Sequence, residues 1–216
     1  MTVKIKHHLT DDLIASYSAG ILPEAVNLVV ATHVSLCDAC RAAVEAHDAV
    51  GGSVLNSCEE MAISESCLAG ALDLIRTEVP SIDDVPRSSD PVFPAPLRDY
   101  VDASLEDVKW RPVGLGVKQA VLPTSGEATA RLLFIPAGTA VPDHGHRGIE
   151  LTLVLKGAFR DEDQYFGRGD IEVAHEDVEH TPIADISEDC ICLAVTDAPL
   201  RFRGWLPRLA QPFVGI

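Results

Sequence analysis

The chain has 216 residues and is strongly acidic: 33 Asp and Glu residues stand against 17 Lys and Arg, a formal net charge of -16. Such a chain repels a phosphate backbone, and its densest basic stretch is only Lys4 and Lys6, so we do not expect direct binding to DNA or RNA. Hydrophobic residues make up 47% of the chain, which argues against global disorder, and no apolar run approaches the roughly 18 residues of a membrane span.

The start of the chain does not have the pattern of a secretory signal. It contains Lys4 and Lys6, but no apolar stretch follows them. We therefore expect a cytoplasmic protein. In a reducing compartment the six cysteines indicate metal binding or redox chemistry rather than structural disulfides.

Residues 1–79 are predicted to form a small all-α domain. Its capping and stop residues indicate three helices. The first begins after Thr10 and stops at Gly20. The second begins at Pro23, runs through Cys40 and Val44, and ends by Gly51-Gly52 at the latest, and the third begins at Ser64-Glu65 and stops before Pro80.

A proline-rich segment, residues 80–96, follows and is predicted to be a semi-extended linker that lets the two parts of the chain move relative to each other. Residues 97–216 are predicted to be a β domain, with short β-rich runs punctuated by Gly and Pro: Ala130–Ile135, Glu150–Leu155, Asp170–Ala174 and Cys190–Thr196. The expected fold class is α+β with two domains.

A first metal site is predicted in the helical part. His33, Cys37 and Cys40 are spaced i, i+4 and i+7, which would place them on one face of a helix. Imidazole and thiolate suit Zn²⁺, which takes four tetrahedral ligands, so His7 or His8 is expected to supply the fourth. Such a closed site would be structural. The alternative is three ordinary helix residues, with the cysteines acting as small hydrophobic side chains.

The remaining histidine and cysteines of the helical part, His47, Cys58 and Cys67, lack ligand spacing and are predicted not to bind metal.

A second metal site is predicted in the β part. His144 and His146 are spaced i and i+2 on an extended segment, so both point to one side, and Glu150 begins an apolar run that follows. With His180 they would form a divalent-metal site inside a β-barrel, for zinc, iron, manganese or nickel. His175 could compete for the metal, and a polar loop is the alternative reading of the two neighbouring histidines.

This pattern resembles the cupin family, whose fold is a jelly-roll β-barrel. The first cupin motif is matched by Gly138, His144, His146, Glu150 and Gly157. The second is matched at Gly169 and His180 but departs elsewhere. Between them, Ala174 or His175 stands where the family usually has Pro, and Asp177 stands where it has Gly. After them, Ala184 replaces the final Asn.

The two halves together resemble the ChrR-type zinc-binding anti-sigma factors, over essentially the whole chain. The stretches that carry the resemblance are His7-His8-Leu-Thr-Asp, Leu28-Val-Val-Ala-Thr-His33-Val-Ser-Leu-Cys37-Asp-Ala-Cys40, Val141-Pro-Asp-His144-Gly-His146, Leu151-Thr-Leu-Val-Leu and Asp189-Cys-Ile-Cys-Leu-Ala.

This resemblance implies zinc at His8, His33, Cys37 and Cys40, and a second metal, Zn²⁺ or another divalent transition metal, at His144, His146, Glu150 and His180. It implies a function in which the helical domain holds an extracytoplasmic-function-type sigma factor away from RNA polymerase. Singlet oxygen or organic peroxide stress would release the sigma factor, with the cupin needed for release.

The charge of the helical part agrees with such a partner. Residues 1–79 hold 11 acidic and 4 basic residues, a net charge of -7, and sigma factors are basic where they meet DNA. Apolar helix faces could enter grooves on the partner, and the candidate residues are Leu13, Ile14, Leu22, Val29, Val30 and Leu36. A zinc-dependent DNA-binding regulator is disfavoured, because only Arg41 lies near the predicted ligands.

Cys190 and Cys192 are a candidate redox pair, since they are i and i+2 on one face of a predicted strand. Same-face neighbours lie roughly 6.5–7 Å apart at Cα, which is poor geometry for a disulfide. The alternatives are two small buried residues, or a sensor centred on the metal.

A metal-dependent cupin enzyme, a dioxygenase or hydrolase, is the rival function. Three His and one Glu on zinc would leave little Lewis-acid capacity, so sensing is favoured over turnover and the chain is predicted not to be an enzyme. A small molecule could still bind in the barrel.

Overall fold

The computed structural model describes residues 4–77, 90–101, 104–141, 144–145, 148–162, 164–174, 179–198 and 201–202. The helices come first: α1 (Asp11–Ser18), α2 (Glu24–Leu36), α3 (Asp38–Asn56), α4 (Glu65–Thr77) and a short 3₁₀ helix (Ala95–Leu97). The strands follow: β1 (Arg111–Gly114), β2 (Val117–Val121), β3 (Thr129–Ile135), β4 (His144–Gly145), β5 (Glu150–Lys156), β6 (Ala158–Asp161), β7 (Gln164–Gly167), β8 (Ile171–Ala174), β9 (Glu179–His180), β10 (Ile183–Ala184), β11 (Cys190–Thr196) and β12 (Arg201–Phe202). The α+β prediction is confirmed.

Helix α1 begins and ends at the predicted residues. Thr10 is extended (φ -72°, ψ 156°), and its side chain accepts a hydrogen bond from the Leu13 N–H at 3.4 Å. Asp11 and Asp12 place negative charge at the positive end of the helix dipole. Gly20, with φ +68°, turns the chain after the helix.

The prediction of one long second helix is wrong. The backbone leaves the helical conformation at Cys37 (φ -109°, ψ 107°), which is both the C-cap of α2 and the N-cap of α3. Asp38 then begins a new helix with its negative charge in the first turn. Gly51-Gly52 does not end that helix, which continues to Asn56, because glycine costs a helix only about 1 kcal/mol and does not block it.

The strands form one large antiparallel sheet and two smaller ones. The large sheet has the order β1-β2-β3-β11-β5-β8, and the smaller sheets have the orders β10-β6-β7 and β12-β4-β9. The four strands predicted from sequence are all present. Gly157 joins β5 to β6 with φ +70°, and a side chain there would lie 2.6 Å from the Asp189 carbonyl oxygen, so the turn requires glycine.

Strand β11 is the centre of the molecule, because all seven of its residues are buried. One face carries Cys190 and Cys192, which pack with Val154 and Ile135 in the interior between the sheets. The opposite face, which includes Leu193, belongs to the core shared with the helices. Burial on both faces explains the continuous apolar run of this strand.

The helical part packs against the outer face of the large sheet. Helix α2 contacts β3, β5 and β11, and its Val29 and Val30 are fully buried in the same core as the sheet residues. Phe93 and Leu97, at the described end of the proline-rich segment, are also fully buried there. In this structure the two parts therefore share one core. A flexible linker would instead allow them to move relative to each other, as was expected. The predicted domain boundaries stay a prediction.

Within the described residues, every helix is too short or too polar to cross a membrane.

Candidate metal centre

Two histidines and two cysteines converge at one point of the helical part. The ligand atoms of His8, His33, Cys37 and Cys40 all lie within 4.8 Å of one another. The His33 Nε2 is 3.2 Å from the Cys40 Sγ, and the His8 Nδ1 is 3.3 Å from the Cys37 Sγ and 3.6 Å from the Cys40 Sγ. Among the side chains that the structure describes, this is the group able to hold a metal ion.

The four residues come from two separate stretches of the chain, one before α1 and one where α2 meets α3. His33 lies in the last turn of α2, Cys37 at the break, and Cys40 in the first turn of α3, while His8 precedes α1. The expectation that three ligands share one helix face is therefore wrong. The break at Cys37 brings them together. Side chains from two facing helix ends can surround an ion, whereas side chains along one straight helix would all approach it from the same side.

The structure also separates the two candidate histidines. His8 joins the cluster. The ring of His7 instead lies 4.1 Å from the ring of Phe166, and its Nδ1 is 3.8 Å from the Asp170 carboxylate. The predicted non-ligands Cys58 and Cys67 are exposed and lie outside the cluster.

The protonation states of His33 and Cys40 suit the binding of a cation that replaces the thiol proton. Burial lowers the pKa of His33 to about 4, so its ring is neutral near neutral pH and offers a lone pair. Burial raises the pKa of Cys40 to about 11, so that thiol is protonated when no metal is present. A divalent ion would release the thiol proton on binding. Two imidazoles and two thiolates in a compact buried group fit tetrahedral Zn²⁺.

The predicted cupin ligands are only partly described. The backbones of His144 and His180 pair directly across β4 and β9, but their side chains, His146 and His175 lie outside the described residues. Glu150 is buried at the start of β5 and accepts a hydrogen bond from the Thr152 hydroxyl at 3.3 Å. The four-residue cupin site therefore stays a prediction.

A buried arginine beside Glu150 was missed by the sequence reasoning. Arg131 on β3 is 6% exposed and donates to the Gln119 side chain at 3.3 Å. Burial lowers its pKa, and the nearby Glu150 carboxylate opposes that shift. The available signal was a charged residue inside the apolar run of β3, at an alternating position that faces the interior.

The candidate redox pair lies in the same interior. The Sγ atoms of Cys190 and Cys192 are 3.5 Å apart, and both residues are fully buried. Hydrogen bonding with Cys190, followed by burial, raises the pKa of Cys192 well above its ordinary value of 9.0. A protonated buried thiol is a poor nucleophile, so this arrangement protects the pair from oxidants in bulk water.

The fold and the cluster define a class: a two-part protein in which a helical part with a candidate His₂Cys₂ metal site packs on a cupin-like sheet. Residues 99–200 match the ChrR Cupin-like domain family. The chain is 58% identical over 212 residues to the anti-sigma-E factor ChrR of Cereibacter sphaeroides, covering 98% of this chain and 99% of that one. The chain therefore belongs to the ChrR family.

A solved structure supports the same relationship. The structure of Rhodobacter sphaeroides SigE in complex with the anti-sigma ChrR matches with a TM-score of 0.79 and 57% identity, covering 89% of this chain and 99% of that chain. The relative is a regulator bound to a sigma factor, which agrees with the expectation that this chain is not an enzyme.

Proposed function

We propose that this protein is an anti-sigma factor whose helical part binds an extracytoplasmic-function-type sigma factor and keeps it from RNA polymerase. The observation that carries the proposal is the 58% identity, over almost the full length of both chains, to an anti-sigma factor. The complex of that kind of chain with SigE supports the choice of partner. RNA polymerase works in the cytoplasm, so the protein is expected there, with no direct contact to DNA.

Four of the residues predicted to enter the partner, Leu13, Ile14, Val29 and Val30, are buried in the protein's own core and cannot form that surface.

An exposed apolar surface on α3 and α4 supports the proposal instead. Leu68, Leu72 and Ile75 recur at i, i+4 and i+7 on α4 and are 66%, 39% and 73% exposed. Val54 on α3 and Met61 after it are also exposed. An amphipathic helix that leaves its apolar face in water is suited to a groove on another protein.

Copurification with a coexpressed sigma factor tests this surface. The Leu68→Asp/Ile75→Asp variant is expected to lose the sigma factor while keeping its own fold, because both side chains are exposed in the free protein. The matched control is Ile186→Asp, since Ile186 is 86% exposed but lies in the β part. Full binding by the double variant, or equal loss in the control, would contradict the proposed surface.

The zinc centre is proposed to be structural. When bound, zinc would tie the segment before α1 to the facing ends of α2 and α3 through His8, His33, Cys37 and Cys40. The His33→Ala variant is therefore expected to hold one equivalent of zinc less than the wild type and to lose the sigma factor. A variant with the same zinc content as the wild type, measured by atomic emission on both proteins, would remove His33 from the ligand set.

The cupin part is proposed to act as the sensor. His144, His146, Glu150 and His180 would hold Zn²⁺ or another divalent transition metal, and singlet oxygen or organic peroxide would trigger release of the sigma factor. A small molecule could enter the same interior. The Cys190→Ser/Cys192→Ser variant tests the thiols: oxidant-triggered release that remains unchanged would exclude them from the response.

A further inference from the structure

One cupin-side carboxylate binds the backbone of the segment that carries His8. The Oδ1 of Asp170 accepts hydrogen bonds from the N–H groups of Lys6 at 2.6 Å and His7 at 2.9 Å. Its Oδ2 accepts from the Gly167 N–H at 2.8 Å, and the residue is only 3% exposed. Asp170 therefore joins the turn between β7 and β8 to a segment more than 160 residues earlier in the chain.

Further contacts align the same segment, residues 4–9, with that turn. The Ile171 N–H donates to the His7 carbonyl at 3.4 Å. Gly169 has φ +90°, and a Cβ there would lie 2.7 Å from the Ile5 Cδ1. A side chain at position 169 would thus be strained and would also displace Ile5. The segment and the turn fit closely only with glycine at this position.

These contacts reach the metal centre at two of its ligands. His8 directly follows the two residues that Asp170 holds, and its Nδ1 faces both cysteine sulfurs. The Gly169 backbone also lies close to the His33 ring, whose buried Nδ1 has no partner of standard hydrogen-bond geometry. A metal-bound histidine commonly donates its second N–H to a backbone carbonyl, and the Gly169 backbone is placed beside the ring for such a contact.

We propose that Asp170 is a positioning residue for the zinc centre, so that the cupin part of the chain holds one zinc ligand in place for the helical part. The inference rests on the zinc site proposed above. By holding the N–H groups of Lys6 and His7, Asp170 fixes the backbone from which His8 reaches the metal. Residues 4–9 are then already ordered before the metal binds, so metal binding does not have to supply the entropy cost of ordering them.

Metal affinity and a spectroscopic signature of the full-length protein test the proposal. We expect Asp170→Ala to weaken Zn²⁺ binding by about 10–100-fold, the usual effect of removing a residue that orients a metal ligand. Loaded with Co²⁺ alone, this variant should also show a changed visible spectrum, since His8 would no longer be held in the tetrahedron. Thiolate-to-cobalt charge transfer identifies the cysteine-containing site and separates it from the proposed cupin metal.

Two further variants keep the test decisive. Asp170→Asn retains one oxygen that can still accept from the Lys6 and His7 N–H groups, although its NH₂ group would face the Gly167 N–H. It is expected to recover part of the affinity relative to Asp170→Ala, which a general loss of folding would not do. Asp90→Ala is the matched control, because the Asp90 carboxylate also accepts two backbone N–H groups, from Val92 and Leu105, each at 2.9 Å, but holds no ligand segment. It should lower stability without changing the cobalt spectrum.

The outcomes separate the two proposals. If the wild-type chain shows no thiolate–cobalt absorption, the proposed zinc site itself is wrong. If the wild type binds and Asp170→Ala binds with the same affinity and spectrum, the positioning role alone is overturned. An equal loss in Asp170→Ala and Asp90→Ala would also overturn it, since the effect would then be one of general stability.

Discussion

At the scale of single residues, the six cysteines divide into three environments. Cys58 and Cys67 are exposed, Cys190 and Cys192 are buried between the sheets, and Cys37 and Cys40 are buried in the metal centre. The six thiols should therefore differ in reactivity, because a thiol reacts as its thiolate and only when a reagent can reach it.

Alkylation of the zinc-loaded native protein should follow these environments. We expect rapid labelling of Cys58 and Cys67 only. After chelation Cys37 and Cys40 should still react more slowly than that exposed pair, because both are buried in the metal-free fold and burial raises the pKa of Cys40 to about 11. Cys190 and Cys192 should react only after unfolding. Peptide mass spectrometry would locate each label. Rapid labelling of Cys192 in the native protein would contradict its burial and raised pKa.

Glu24 makes a pH-dependent link between the two parts of the chain. Its carboxylate accepts hydrogen bonds from the Ser125 N–H at 2.7 Å and the Tyr100 hydroxyl at 2.9 Å, and these lower its pKa from 4.5. A carboxyl whose pKa is lower in the folded state stabilises the protein above its unfolded pKa, and this contribution is lost as pH falls through the folded pKa. Glu24→Gln should therefore be less stable than wild type at neutral pH, with the difference shrinking below pH 4.5; a constant difference in urea unfolding would contradict this.

At the scale of elements, β11 determines how the two parts fit together. Its Cys190 and Cys192 face the interior between the sheets, and Leu193 faces the helices. The metal centre depends on a different element boundary, the break at Cys37 between α2 and α3. The position of β11 follows from burial against elements that are distant in sequence.

Truncation of Leu193 tests the packing of helices on the sheet. Leu193→Ala is expected to reduce the free energy of unfolding by about 2–5 kcal/mol, because the fully buried side chain would leave a cavity. Ile186→Ala, at a side chain that is 86% exposed, should change it by about 0.5 kcal/mol or less. A small effect at Leu193, measured by urea unfolding, would mean that the outer face of the sheet is not covered.

At the scale of the whole molecule, the net charge of -16 should affect how fast a basic sigma factor is captured. Long-range attraction between opposite charges raises association rates and is screened beyond about 10 Å at 0.1 M salt. Dissociation depends instead on the short-range apolar contacts proposed for α4.

We expect rising salt concentration to lower the association rate with the sigma factor by about tenfold or more while changing the dissociation rate little. Surface plasmon resonance at several salt concentrations would measure both rates. An association rate that is independent of salt would show that the acidity of this chain has no part in capturing its partner.

Local signals explain which parts of the structure were predictable. The cap at Thr10 and the start of α4 at Glu65 depend on neighbouring residues, and both are where the sequence places them. The break at Cys37 was missed, since the apolar pattern continues through it and no proline or glycine marks it. Arg131 was missed because its partners, Gln119 and Glu150, come from other strands.

The sequence by itself determined the chemistry: acidic charge, a helical part before a β part, and two histidines and two cysteines of the right kind for zinc. These depend on residue type and short spacing. Only the tertiary structure decided that His8 rather than His7 joins the cluster, and that the helices cover the outer face of the sheet. The physical reason is the same in both cases: contacts between residues far apart in sequence, such as those of Asp170 with the Lys6 and His7 N–H groups, leave no local pattern.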